Sequence, residues 1–249
     1  PEEPVLDPRR AAAEGRLIVP SRTFACGDLE AGMAAAAVVV EGRAATGGQE
    51  HLYLETQAAL ATPRAGGRLH LHASTQSPSA VQRVAARVLG LAMHDVEVEV
   101  DRLGGAFGGK EDQATPWAAL AALAAQRTGR PVKLVLERRE DMRATGKRHP
   151  YDSDFRLGVD AEGRIVAFEA VMYQNAGATA DLSPAIMERS LFHATGAYRV
   201  PAARITAHCC RTDLPPFTAF RGFGGPQGAF VIEAALTLAA RALDRPREA

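Results

Sequence analysis

Hydrophobic and polar positions alternate in a handful of windows along the chain, and those windows mark its strands. In RLHLHAST (68–75), Leu69, Leu71 and Ala73 alternate with polar neighbours, as one face of a half-buried strand requires. Val96, Val98 and Val100 repeat the pattern, while VKLVLE (132–137) and RITAHCCRT (204–212) read as further strands. Val38–Glu41 and then Glu50–Leu60 carry strand character around a turn at Gly47–Gly48. Residues 154–159 and 164–173 make a hairpin across DAEGR. Helical periodicity fills the gaps. In SPSAVQRVAARVLG, Ser77 is a cap, Pro78 suits the first turn, and Val81, Val84, Ala85, Val88 and Leu89 share one face before Gly90 ends it. A second helix covers 114–128 and is closed by TGRP; Leu182–Phe192 and Ala229–Leu243 supply two more. Strands and helices alternate irregularly, with hairpins mixed in. The expected fold class is therefore α+β with mixed sheets, in preference to a doubly wound parallel sheet.

The chain has 249 residues, enough for one large domain or two smaller ones. Residues 1–36 open on a Pro-, Arg- and Glu-rich stretch with only a short helical segment at Arg9–Glu14, and read as a connector or the tail of an upstream domain. Residues 37–249 are expected to form the main domain. Pro1 stands where a methionine would open a complete chain, so a longer protein is expected. A net charge of zero gives no basic excess for nucleic acid. The longest apolar run, around Ala34–Val40, is far short of the roughly 20 residues a membrane span needs. Cys26, Cys209 and Cys210 make neither a disulfide framework nor a C-x-x-C cluster, which fits a reducing, cytoplasmic compartment.

Two glycine loops hold the candidate chemistry. LGGAFGGKE (103–111) contains G-x-x-x-x-G-K, the body of a phosphate-binding loop, between a strand-like and a helix-like run. The next residue is Glu111, where that motif needs Ser or Thr, and a carboxylate there would repel bound phosphates. A nucleotide site is thereby rejected. What survives is backbone free to approach a ligand closely, with Phe107 as an aromatic wall. Glu111 is then either a carboxylate held in a partly dry pocket or an exposed residue of the first helical turn, where the dipole favours it. LPPFTAFRGFGGPQG (214–228) is the second loop, in which Arg221 lies between Phe220 and Phe223 and can bind a planar or anionic ligand. Gln76 follows a strand, where an amide either meets a ligand or merely caps a loop. Arg189 on its amphipathic helix reads as a solvated charge. The seven histidines contain no H-x-x-x-H pair, so a metal held directly by side chains has no support. His51 and His149 read as hydrogen-bonding groups of core or loop. There is no G-x-S-x-G and no activating neighbour for Cys209–Cys210, so covalent catalysis is not indicated.

Seven segments, GGQEHLYLET (47–56), STQ (74–76), GGAFGGKE (104–111), TGRPVKLVLERREDM (128–142), GKRHP (146–150), IMERSLFH (186–193) and TAFRGFGGPQG (218–228), together resemble the molybdenum-binding subunit of the xanthine dehydrogenase and xanthine oxidase family across about residues 20–249. The resemblance implies the first portion of the two-part molybdopterin-binding region and a molybdenum–molybdopterin cofactor, with the metal held by the pterin. It places the amide of Gln76 at an oxo ligand, the backbone of Phe107 and Gly108 with Arg221 along the cofactor, and Phe223 against a purine. Glu111 and Arg189 would bind the purine and offset charge developing on it. Related aldehyde oxidases generally carry less polar residues in place of that pair, so hypoxanthine and xanthine are the expected substrates. Electrons would leave through 2Fe-2S clusters and FAD on other domains or subunits. A lysine near the substrate entrance of animal members falls near Ala80 here. The family's catalytic glutamate and further pterin contacts are expected beyond residue 249, so this segment alone is expected to be inactive. The alternatives are an aldehyde or other N-heterocycle hydroxylase of the same family, or a truncated, non-catalytic fragment that binds a partner.

Overall fold

A computed structural model describes residues 3–246. In chain order the elements are α1 (Pro8–Ala13), β1 (Leu17–Cys26), α2 (Leu29–Ala35), β2 (Val38–Thr46), β3 (Ala58–Pro63), β4 (Leu69–Ala73), α3 (Pro78–Leu89), β5 (Val96–Glu99), α4 (Thr115–Thr128), β6 (Val132–Val135), α5 (Arg138–Ala144), β7 (Tyr151–Val159), β8 (Ile165–Gly177), α6 (Ser183–Phe192), β9 (Ala203–Arg211) and α7 (Gly225–Ala242). They fall into two compact units, and the chain passes between them four times.

The first unit comprises residues 1–49, 149–217 and 222–249. Its sheet runs β1-β9-β8-β7-β2, with β8 and β9 parallel and every other pair antiparallel. The expected β7–β8 hairpin is present, turning where Asp160 Oδ1 accepts the N–H groups of Glu162 and Arg164. Phe155, Leu157, Phe168, Met172 and Ile205 from the sheet pack with Met187 of α6 and Val231, Ile232 and Ala235 of α7. Fully removing side chains of this size from water stabilises the fold by about 1.5–3 kcal/mol each.

The segment expected to be a connector is part of this sheet. β1 pairs with β9 along the edge, and its side chains alternate poorly because an edge strand buries little, which hides it from a periodicity search. Arg9 of α1 anchors the same region. Its Nε donates to Asp152 Oδ2 at 2.6 Å and its Nη1 to Asp154 Oδ2 at 2.6 Å, with the guanidinium 4.6 Å from the Tyr173 ring. Arg43 of β2 donates to the same Asp152.

Burial would push the Asp152 carboxyl up, but the hydrogen bonds from Arg9 and Arg43 outweigh it and hold its pKa down at about 2. Because the folded value is depressed, this stability is complete above the unfolded value and disappears as pH falls from about 4 to about 2. Asp152→Asn is expected to lose about 2 kcal/mol at neutral pH and to show a flatter acid limb. An acid-unfolding profile superimposable on that of the wild type would refute this.

The second unit comprises residues 50–148 and 218–221. Its sheet runs β5-β4-β3-β6, parallel between β4 and β5 and antiparallel elsewhere. Leu69, Leu71 and Ala73 turn towards Val81 and Ala85 of α3 and Ala118, Ala121 and Ala125 of α4. Gly90 closes α3 in the left-handed conformation, with φ +67°, as expected. Ser77 stands at the N-cap position but its side chain makes no capping bond; its own N–H donates to Thr75 Oγ1 at 3.0 Å.

Candidate functional site

The glycine loop at 103–111 is not the entry to a helix. β5 ends at Glu99 and α4 begins only at Thr115, so Glu111 lies four residues outside the helix rather than in its first turn. Lys110, the lysine of the apparent phosphate-binding motif, is fully buried. Its Nζ donates to Ser74 Oγ at 2.7 Å and to Glu55 Oε2 at 3.2 Å, and lies 4.6 Å from the centre of the Tyr53 ring. Burial pulls the ammonium below its ordinary pKa, and Glu55 offsets part of that. Burial would raise Glu55, but bonds from the Gly104 N–H, Ser74 Oγ and Lys110 hold it below the usual carboxylate range. The lysine thus supports the loop from beneath and offers nothing to an anion, which confirms the rejection of a nucleotide site.

Gln76 is fixed by the loop. Its Oε1 accepts the N–H of Gly108 at 2.9 Å and that of Lys110 at 3.4 Å. Backbone N–H groups only donate, so the carbonyl side of the amide must face them and the NH2 must face outwards. The same contact is stitched in reverse, with the Gln76 N–H and Thr75 Oγ1 donating to the Lys110 carbonyl at 2.8 and 3.1 Å. Half-buried Glu111 follows directly.

The first residues of the second glycine motif meet this loop within the same unit. The Arg221 N–H donates to the Phe107 carbonyl at 2.8 Å. A Cβ on Gly108, which has φ +102°, would stand 2.7 Å from the Ala219 carbonyl oxygen. That closeness and that backbone angle both require glycine. Phe107 itself has φ +55°, an uncommon conformation for a residue with a side chain, and presents a half-exposed ring. Gln76, Phe107, Gly108, Glu111 and Arg221 are thereby brought together, with Gln76 and Arg221 exposed.

Arg189 and Phe223 belong to the first unit. Arg189 is exposed on α6, and Phe223, with φ +48°, precedes the turn into α7. The two positions are tied through their neighbours: Ser190 Oγ donates to the Gly224 carbonyl at 3.0 Å, and a Cβ on Gly224 would stand 2.3 Å from the Ile186 carbonyl oxygen. α7 begins at Gly225 rather than at Ala229, so the last four residues of the expected glycine loop form the first helical turn.

Four residues that sequence reasoning did not single out for the site hold it in place. His51, Tyr53 and Glu55 alternate along a stretch expected to be a strand; 50–57 form no strand, and β3 begins only at Ala58. His51 Nε2 donates to the Ala219 carbonyl at 2.6 Å, and its ring lies 4.6 Å from that of Phe220. Burial lowers its pKa and favours the neutral ring. Tyr53 OH donates to the buried Asp141 at 2.7 Å. Arg148, the fourth, stands 4.0 Å over the Phe220 ring and donates to the Arg221 carbonyl at 3.0 Å. The available signal was period-two alternation with polar residues inward and Leu52 and Leu54 outward, the inverse of a solvent-facing strand. His149 Nε2 pairs with Ser183 Oγ at 2.7 Å, the structural role expected of it.

Mixed sheets with two glycine turns, one of them clamped around an outward-facing amide, make this an α+β protein. The family profile described as "Molybdopterin cofactor-binding domain" matches residues 12–249, and the chain belongs to that family. It is 45% identical to xanthine dehydrogenase/oxidase of Rattus norvegicus over 208 residues, 83% of this chain and 16% of that protein. It is also 40% identical to aldehyde oxidase 3 of Mus musculus over 232 residues, 93% of this chain and 17% of that one. Among solved structures, the aldehyde oxidoreductase of Desulfovibrio gigas superposes with a TM-score of 0.90 at 25% identity, covering 99% of this chain and 28% of that chain. Quinoline 2-oxidoreductase of Pseudomonas putida 86 gives 0.88 at 27% identity, covering 99% and 33%. The chain spans 16–18% of the length of the curated relatives it matches. Among the described residues no helix is long and apolar enough to cross a membrane.

Proposed function

We propose that this chain is the cofactor-holding portion of a xanthine dehydrogenase-type molybdenum hydroxylase that oxidises hypoxanthine and xanthine to urate. The observation that carries the reading is the Gln76 amide, whose carbonyl is occupied by the Gly108 and Lys110 N–H groups so that its NH2 is left to donate. The residues fit a molybdenum–pterin group. Gly108 lets the two loops close on each other through its bare Cα against Ala219, Phe107 supplies an aromatic edge, and exposed Arg221 supplies positive charge for an anionic cofactor. The chemistry supplied by the bound group is hydroxylation of an electron-poor carbon with water as oxygen source. Gln76 would help hold the cofactor through its outward NH2, donating to an oxo ligand. Glu111 accepts a purine N–H and excludes substrates that lack one. Arg189 donates to the purine and offsets negative charge as it builds, and Phe223 stacks on the ring. In this reading the catalytic base is a glutamate in a part of the enzyme other than this chain. 2Fe-2S clusters and FAD on other domains or subunits, and the remainder of the molybdenum subunit, are the partners. The free thiols of Cys26, Cys209 and Cys210 suit the cytoplasm.

Similarity to an aldehyde oxidase and to a quinoline oxidoreductase favours a second reading, an aldehyde or N-heterocycle hydroxylase. Steady-state kinetics of the complete enzyme, with molybdenum quantified, separate the two. Purine kcat/KM is expected to exceed that for an aromatic aldehyde or quinoline by roughly 100-fold, because polar groups placed for purine edges are left unpaired by the others. A molybdenum-loaded enzyme that ignores purines overturns the substrate assignment and leaves the cofactor assignment standing.

A further inference from the structure

β4 carries His70 and His72, neither of which takes part in the site above. Their spacing of two residues puts both imidazoles on the sheet face opposite Leu69, Leu71 and Ala73, which are buried in the core with α3 and α4. The parallel register with β5 sets His70 beside Glu97 and His72 beside Glu99. One oxygen of Glu99 then lies 3.0 Å from Nε2 of His70 and 3.4 Å from Nε2 of His72. The two rings meet edge to face at 4.6 Å, and one ligand atom from each of the three residues falls within 4.8 Å of the others. The His70 side chain is 8% exposed, whereas His72 and Glu99 open to solvent at 40% and 46%. Asp101 Oδ2 stands 3.8 Å from Nδ1 of His72, on the ring edge away from Glu99.

We propose that His70, His72 and Glu99 bind a divalent transition metal ion, zinc by ligand type. A tetrahedral zinc with bonds of about 2.0–2.1 Å has its ligand atoms about 3.3 Å apart, close to the 3.0 and 3.4 Å between the shared Glu99 oxygen and the two nitrogens. Two imidazoles favour zinc and its neighbours over calcium or magnesium, which take oxygen ligands. A single carboxylate leaves the ion one net positive charge, and three ligands leave a fourth position for water. Exposed Asp101, 3.8 Å from the other ring nitrogen of His72, is placed to move in as the outer carboxylate that orients a metal-bound imidazole. On a strand the histidine pair that shares a face is i and i+2, a spacing outside the H-x-x-x-H pattern of a helix.

The test uses the complete enzyme, treated with chelator and titrated with zinc against a chromophoric competitor. The wild type is expected to take up one zinc per chain that His72→Asn and Glu99→Gln bind at least about tenfold more weakly, since even outer-shell changes cost 10- to 100-fold. Both substitutions are at partly exposed side chains, and unchanged melting temperatures would show that the variants fold. Zinc-edge X-ray absorption of the loaded wild type is expected to show two imidazole nitrogens. Equal zinc affinity in wild type and both variants, or no uptake by the wild type, overturns the proposal. Molybdenum content and purine turnover, measured alongside, report separately on the molybdopterin reading, which stands or falls independently.

Discussion

Replacing Glu111 by alanine in the complete enzyme is expected to lower kcat/KM for xanthine by about 100- to 1,000-fold, the size of effect seen when one preorganised charge-stabilising group is removed. Molybdenum content is expected to stay at the wild-type level. The split follows from the structure of the loop. Its contact with 218–221 is made by backbone, through the Phe107 carbonyl and the Gly108–Ala219 approach, and Gln76 is fixed by the Gly108 and Lys110 N–H groups. None of these named contacts uses the Glu111 side chain, and the molybdenum content of the variant reports whether the cradle persists without it. Glu111→Gln discriminates further, because the amide keeps an acceptor for a purine N–H while losing the charge. Its turnover is expected to fall between that of wild type and alanine. Purine turnover equal to wild type in Glu111→Ala would return this residue to an ordinary carboxylate outside α4. Parallel loss of molybdenum would make it a structural part of the loop.

What the sequence disclosed and what it concealed divide along a physical line. Regularity is local, so α3, with Val81 and Ala85 on one face between Pro78 and Gly90, was legible, as was the β7–β8 turn at DAEGR. The edge strand β1 was not, because a strand that buries little carries no alternation. Gln76, Phe107, Gly108 and Arg221 were legible as a group only through resemblance; no periodicity links residues 76, 108 and 221, which hydrogen bonds and a bare Cα bring together. The fate of Lys110 was concealed for the same reason. In isolation G-x-x-x-x-G-K offers a lysine to phosphate, and only the return of Glu55 and Ser74 beneath the loop turns it inwards. The stretch 50–57 misled by alternating like a strand while spending its inward residues on single, distant partners.

The inward lysine carries the second large effect. Glu55→Ala leaves the Lys110 ammonium in a site with no accessible surface, with Ser74 Oγ and the Tyr53 face as its remaining partners. Removing one partner of a buried ion pair costs about 3–5 kcal/mol. The Glu55 side chain is 38% exposed, so water entering from its side moves the expected loss to the lower end, about 3 kcal/mol. Lys110→Met keeps the buried stem and removes the charge, while Glu55 retains Gly104 N–H and Ser74 Oγ. It is expected to cost no more than about 1 kcal/mol, and combining it with Glu55→Ala should recover most of the loss. The pH dependence has a definite sign. A lysine whose folded pKa is depressed binds fewer protons in the native state than in the unfolded one, so stability rises with pH up to the ordinary value near 10.4. The Glu55→Ala deficit should therefore shrink as pH increases. Melting temperatures across that range, with hydrogen exchange of the 103–111 amides as the local readout, measure it. A deficit that is independent of pH, or a double variant no more stable than Glu55→Ala, would mean that Lys110 is neutral in its pocket and that the loop is supported by packing alone.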